Sequence, residues 1–221
     1  MTARPRGTLL AIEGIDGVGK STLLHSLARA LRRRGLSVGV RREPADPRLG
    51  AMAQTAAAED PLTGAVYFTV DRHLAAPELE RALRTYDVVL QDRSFYSTLA
   101  YQGSALPARD RLRLSQLQRS ATRTPDRVVL LDLPTSEALE RLGGRALRRG
   151  PLERRATLDR VARAYRELAR KNGWQVLDAR APTSDLVRQA IAGLALSHRR
   201  GRTPARRRRD DKPGTGPRRR S

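Results

Sequence analysis

Residues 8–34 read TLLAIE, then GIDGVGKS, then TLLHSLARALRRR, and the order of these three pieces decides the fold. The first, Thr8 to Glu13, has the length and apolar content of a short buried strand. The second, Gly14 to Ser21, is a full match to G-x-x-x-x-G-K-[ST]. In the third, Leu23, Leu24, Leu27, Ala28 and Leu31 recur at helical spacing, which predicts a helix over 20–34 that stops at Gly35. A strand feeding a glycine-rich turn that opens a helix is a construction for phosphate. Gly14, Gly17 and Gly19 let the backbone approach an anion with its N–H groups inward, and the helix N-terminus adds partial positive charge. Ile15, Asp16, Val18 and Thr22 complete the segment that would wrap a triphosphate such as that of ATP. Lys20 can reach the β- and γ-phosphates and is expected to face solvent in the cradle, free of core packing. The Ser21 hydroxyl is placed to ligate Mg²⁺, a hard ion that takes oxygen ligands.

Working outward, apolar strand-like runs alternate with helical patterns. Strands are predicted at 36–42, 87–91, 127–133 and 174–178. Helices are predicted at 48–59, 61–85, about 95–103, 108–121, 135–142, 156–171 and 183–196, with an arginine-rich segment at 143–155. Nearly continuous Val, Leu and Ile in strands that alternate with helices indicate a parallel sheet covered on both faces. The fold class is therefore α/β, three layers with a five-stranded parallel sheet flanked by helices. One domain is expected over 1–197. From His198 to Ser221 apolar residues give way to Arg, Pro and Gly, so this tail is expected to be disordered.

The chain has a formal net charge of +21, no cysteine, and three histidines, His25, His73 and His198, too scattered to form a metal site. Eleven Arg and Lys against two acids place +9 of that charge in residues 198–221 and leave +12 on the rest. Lys20, Lys171 and Lys212 are the only lysines, so a general bias toward arginine accounts for much of the excess. The tail could still make nonspecific polyanion contacts. The apolar run after the first residues is too short for a signal-peptide core or a membrane span, and a cytoplasmic protein without membrane contact is the expectation.

Two strands end in a carboxylate able to serve the metal, Asp92 and Asp132. Asp92 is followed at once by Arg93, a pairing that could serve both the metal and a second phosphate, and it is favoured. Asp132 precedes Leu-Pro and reads equally well as a turn residue.

Taken in order, IEGIDGVGKST at 12–22, REP at 42–44, FTVDR at 68–72, DRSFYSTLAYQG at 92–103, PDRVVLLDLP at 125–134, Leu152-Glu153 and VARAYREL at 161–168 resemble the thymidylate kinase family of P-loop nucleoside monophosphate kinases. The resemblance implies a P-loop kinase fold, a homodimer, and Mg²⁺-dependent transfer of the ATP γ-phosphoryl group to dTMP, giving ADP and the dTDP needed for dTTP synthesis. By motif position it implies that Phe68 stacks on the base and that Arg72 and Arg93 hold the acceptor phosphate. Thr98, Tyr101 and Gln102 would line the base and sugar pocket, Glu153 at the end of the lid would bind substrate, and Asp16 would approach the sugar 3′-hydroxyl. Lys20, Asp16, Asp92 and Arg93 form the implied catalytic set. Gly17 stands where some members carry a P-loop arginine, so the transition-state cation is expected from the lid at 143–155, where Arg145, Arg148 and Arg149 are the candidates.

Two departures fall near the acceptor: Ala45-Asp46-Pro47 replaces a Gly-Gly-Thr continuation, and Ser94-Phe95-Tyr96 replaces a Tyr-Val-acidic run. They leave open a kinase acting on another nucleoside monophosphate. A P-loop protein that binds nucleic acid is the reading from a different class, suggested by the charge.

Overall fold

The computed structural model describes residues 6–143 and 151–194, the side chains of 151–154 excepted. The lid arginines Arg145, Arg148 and Arg149, the side chain of Glu153 and the tail from 198 lie outside the described residues.

Five strands form one parallel sheet: β1 (Thr8–Glu13), β2 (Val38–Arg42), β3 (Val88–Asp92), β4 (Arg127–Asp132) and β5 (Gln175–Asp178). Their spatial order is β2-β3-β1-β4-β5. The most apolar strand takes the middle, where both faces are covered, and Leu9 to Ile12 are at most 1% exposed. The α/β fold expected from the alternating pattern is therefore present, with all five strands where the apolar runs fall.

Helix α1 (Lys20–Arg33) returns from β1 with the five predicted apolar residues buried and stops at Gly35, whose φ of 81° suits a residue without Cβ. Helices α2 (Pro47–Glu59) and α3 (Pro61–Thr85) each begin with proline at the first helical position after an aspartate cap, Asp46 and Asp60. They pack closely through small residues: a Cβ added to Gly64 would come within 2.3 Å of the Ala57 Cβ. α4 (Phe95–Tyr101) ends in a 3-10 turn at Gly103–Ala105, where a helix to 103 was expected. α5 (Ala108–Ala121) and α6 (Thr135–Leu142) match their predicted spans, and α8 (Thr183–Gly193) closes the described chain.

The main shift in boundary is in α7, which runs Pro151–Asn172 instead of starting at 156. Leu152, Glu153, Arg154, Arg155 and Ala156 are good helix formers behind a proline that suits the first turn, and the arginine-rich composition hid that start. β3 is displaced by one residue and takes in Asp92. Asp87 is drawn out of the strand because its carboxylate accepts from the Ser37 N–H and hydroxyl at 2.8 and 2.6 Å.

Strand order reverses on either side of β1, so the crevice between the carboxyl ends of β3 and β4 is the expected ligand position for an open α/β sheet. Parallel register puts Ile12 opposite Asp92 and Glu13 opposite Leu130, so the loop after β1 emerges between β3 and β4 at that crevice.

Candidate active site

The loop from Gly14 to Gly19 is shaped by three positive φ angles, 144° at Gly14, 88° at Gly17 and 93° at Gly19. A Cβ on Gly14 would meet the Leu131 carbonyl oxygen at 2.6 Å, and one on Gly17 the Ala138 carbonyl at 2.3 Å. Those two glycines let the loop press against β4 and α6. Gly19 differs, since a Cβ there would meet nothing within 4 Å, so the loop is open on the side where α1 begins.

Lys20 does not face solvent as expected. It is 8% exposed, and its ammonium group donates to the carbonyls of Gly14 at 3.0 Å and Ile15 at 2.8 Å, folding across the inside of the loop. Loop carbonyls and the Asp16 carboxylate at 4.0 Å are the acceptors within its reach. Burial, reinforced by Arg93 and opposed by Asp16, Asp92 and Glu13, lowers its pKa to about 8.

Ser21 Oγ donates to Asp92 Oδ2 at 3.1 Å, while Asp92 Oδ1 is buried without a hydrogen-bond partner. A hydroxyl oxygen and a carboxylate with unused lone pairs at the mouth of a phosphate loop fit Mg²⁺, which is commonly held by one or two protein oxygens plus phosphate and water. Among the described residues no group of three or more His, Cys, Asp or Glu could hold a metal ion alone. Asp132, the other candidate, is engaged elsewhere, accepting from Arg166 Nε at 2.9 and 3.1 Å.

Arg93 is the centre of the site. Its φ of 71° is the one positive value among the described non-glycine residues. One terminal nitrogen donates to Asp16 Oδ1 at 2.5 Å, and the guanidinium lies 5.1 Å from the Tyr101 ring centroid. Burial works against ionisation of Asp16, but Arg93 and Lys20 outweigh it and hold the carboxyl below its ordinary value. The other terminal nitrogen donates to Ser97 Oγ at 3.1 Å and, more loosely, to Tyr165 Oη at 3.4 Å.

Behind Arg93 lies Glu13, with no exposed surface. Its carboxyl meets Ser94 Oγ at 2.6 Å, Ser97 Oγ at 2.7 Å and Tyr165 Oη at 3.0 Å, and the two last hydroxyls are themselves 2.8 Å apart. Three hydroxyls thus share one carboxyl group in a network closed by the contact between Ser97 and Tyr165. Burial, against the pull of the hydroxyls and Arg93, pushes the Glu13 pKa above the ordinary value. Glu13, Ser94, Ser97 and Tyr165 were not singled out from the sequence as site residues. The available signal was an acid closing an otherwise apolar central strand.

A second cluster surrounds Arg72. Its guanidinium donates to Glu43 Oε2 at 2.6 Å, Gln118 Oε1 at 2.7 Å and Thr98 Oγ1 at 3.1 Å. Gln91 holds the other Glu43 oxygen at 2.8 Å, and Gln118 donates to Thr69 at 2.6 Å. The structure thus joins Arg72 to Thr98, and Arg93 to Asp16 and Tyr101, giving the two arginines separate partners. Phe68 is half-buried one helical turn before Arg72, and Gln102 is half-buried where α4 ends. The departure at 45–47 has a local cause: buried Asp71 accepts from the N–H groups of Ala45 and Asp46 at 2.8 and 2.7 Å, and Asp46 then caps α2.

A family model described as thymidylate kinase matches residues 12–191. The thymidylate kinase of Xanthomonas euvesicatoria pv. vesicatoria is 37% identical over 198 residues, covering 86% of this chain and 84% of the relative. The probable thymidylate kinase of Metallosphaera sedula is 34% identical over 192 residues, covering 86% and 94%. That of Thermococcus onnurineus is 33% identical over 198 residues, covering 83% and 95%.

The burial of Lys20 yields a stability prediction. Its folded pKa, about 8, lies below its ordinary 10.5, so the unfolded chain binds more protons between those values and stability rises with pH across that window. Below pH 8 the charged amine costs on the order of 3 kcal/mol. Lys20→Met should therefore be more stable than wild type at pH 7, with the margin shrinking toward pH 10.5, while losing turnover. Urea denaturation of both proteins at pH 7 and pH 10 checks this, and a margin independent of pH would refute the buried-amine assignment.

Proposed function

Because the chain belongs to the thymidylate kinase family and is a nucleoside monophosphate kinase, we propose that it transfers the γ-phosphoryl group of ATP to dTMP, giving ADP and dTDP for dTTP synthesis. The observation that carries this reading is the ion pair between Arg93 and Asp16. It sets an acceptor-side cation against the loop that cradles the donor, as a transfer between two phosphates requires.

In this reading the backbone of residues 14–19 and the start of α1 hold the donor phosphates, and Ile15, Val18 and Thr22 shape the loop. Lys20 exchanges its carbonyl partners for phosphate oxygens, which would restore full charge to an amine that burial now depresses. Ser21 and Asp92 would hold Mg²⁺, which when bound neutralises charge on the phosphates. Arg93 would grip the acceptor phosphate, released from or shared with Asp16, which would in turn meet the sugar hydroxyl. Phe68 would supply an apolar platform for the base. Arg72 and Thr98 present polar atoms together one turn away, and Tyr101 and Gln102 would close the pocket. Shielded from water, the transferred group passes to the acceptor instead of being hydrolysed.

The acceptor is tested by offering a panel of nucleoside monophosphates with Mg-ATP and following ADP and diphosphate product. dTMP should outpace dUMP by about tenfold, because one methyl group in an apolar pocket contributes roughly 1–3 kcal/mol. Equal rates, or preference for a purine monophosphate, would assign the acceptor differently and leave the kinase class in place.

Gly17 supplies no cation, so a lid arginine is the proposed source. One alanine substitution among Arg145, Arg148 and Arg149 should lower kcat by about 10³ to 10⁵ with little change in the Kd for dTMP. Three similar, salt-sensitive KM effects with kcat unchanged would show the segment to be only an attractive surface.

No helix among the described residues is long and apolar enough to cross a membrane, and a cytoplasmic enzyme is the proposed setting. A homodimer is supported by an exposed apolar stripe on α3, formed by Leu62, Val66, Val70 and Leu74, with Met52 of α2 also exposed. Val70→Glu paired with Leu74→Glu should shift the mass seen by light scattering from two chains to one. A wild-type protein that already runs as a monomer would remove the dimer from the proposal.

A further inference from the structure

The buried groups that phosphoryl transfer leaves without a role converge on one point. Glu13 closes β1, and Tyr165 comes from the middle of α7, 152 residues along the chain. A carboxyl group with no exposed surface is costly to bury and is retained where its oxygens are hydrogen-bonded. Every side-chain bond that Glu13 makes leads to Arg93. Ser94, on Oε1, is the next residue in the chain. Ser97 and Tyr165, on Oε2, are the hydroxyls onto which Arg93 donates.

We infer that Glu13 and Tyr165 are positioning residues for Arg93, fixing its left-handed backbone and aiming its guanidinium at Asp16 in the phosphate loop. A left-handed conformation at a residue with a long side chain is unfavourable and persists where its surroundings over-determine it. Here the Arg93 N–H donates to the Ile12 carbonyl at 3.0 Å and its carbonyl accepts from Gln91 Nε2 at 3.0 Å. The Ser94 hydroxyl then pins the following residue to Glu13 while its oxygen accepts from the Tyr96 N–H at 3.3 Å, starting α4. Without the Tyr165 hydroxyl, Ser97 and Glu13 lose a shared partner and the guanidinium loses one of the two oxygens behind it. The departure at residue 94 acquires a reason, since a large side chain there could not make this bond to a fully buried carboxyl.

The positioning is a property of the protein without substrate, and only its consequence for the acceptor phosphate rests on the proposed function. Two measurements keep the two apart. The first follows the Arg93 Nη ¹⁵N signals, assigned by their loss in Arg93→Lys, in wild type, Tyr165→Phe and Glu13→Gln. A guanidinium clamped by Ser97 and Tyr165 on one nitrogen and Asp16 on the other should give two resolved signals, which merge in both variants as rotation is freed. The second compares Kd for dTMP and for thymidine, which lacks the phosphate. Tyr165→Phe should reduce the preference for dTMP by about tenfold, the order expected for a hydrogen bond to a charged group, and should add nothing in an Arg93→Ala background. Signals still resolved in folded Tyr165→Phe, or additive losses in the double variant, overturn the inference. Should Glu13→Gln fail to fold, Tyr165→Phe alone decides, because it keeps the buried ring. Merged signals in a protein whose wild type binds thymidine as tightly as dTMP would uphold the positioning and count against dTMP as acceptor.

Discussion

Parallel pairing of β1 with β3 is the constraint from which the site follows. Ile12 lies opposite Asp92, so the carboxyl ends of the two central strands finish side by side. The glycine loop leaves one strand where Asp92 and Arg93 leave the other. Both strands are buried on both faces, and slipping either against its neighbour would break a ladder that no water could replace. The Asp92 carboxylate and the start of the glycine loop are thereby fixed relative to each other before any other loop is considered.

The site built on that pairing is crowded with charge, and the structure manages it by matching each ion locally. Arg93 faces Asp16, Arg72 faces Glu43, and Lys20 rests on loop carbonyls. Both arginines are nearly buried, where an unpaired charge would be far more costly than at the surface. The same pairs are exchangeable. A phosphate dianion would offer either arginine a stronger bidentate acceptor than one carboxylate oxygen, so in the proposed reaction the acids would keep the cations in place until substrate arrives. The excess positive charge of the chain has little part in this, since these two arginines are set apart by their buried partners.

Residues that depart from the family pattern near the acceptor have local structural roles. Ala45-Asp46-Pro47 is a helix start, with Asp46 as cap, Pro47 at the first helical position, and Asp71 satisfying the two N–H groups before it. Ser94 both caps α4 and binds Glu13. Neither departure removes a group from the phosphate loop or from the Ser21 and Asp92 pair.

The sequence by itself determined the sheet and the glycine loop, because each depends on neighbours close in the chain: apolar runs of strand length and glycines at fixed spacing. It also indicated most of the residues around the crevice, through the order and spacing of short motifs. Tertiary structure alone decided what those residues touch. Lys20 was expected in solvent and lies folded inside the loop, since the carbonyls that accept from it are presented only once the glycines have turned the backbone. Arg72 and Arg93 read alike as arginines after aspartates, yet one joins Glu43, Gln118 and Thr98 while the other joins Asp16, Ser97 and Tyr101. Glu13 was hidden for the same reason: its partners come from α4 and from α7, far along the chain, and no local pattern encodes a hydrogen bond made across the core.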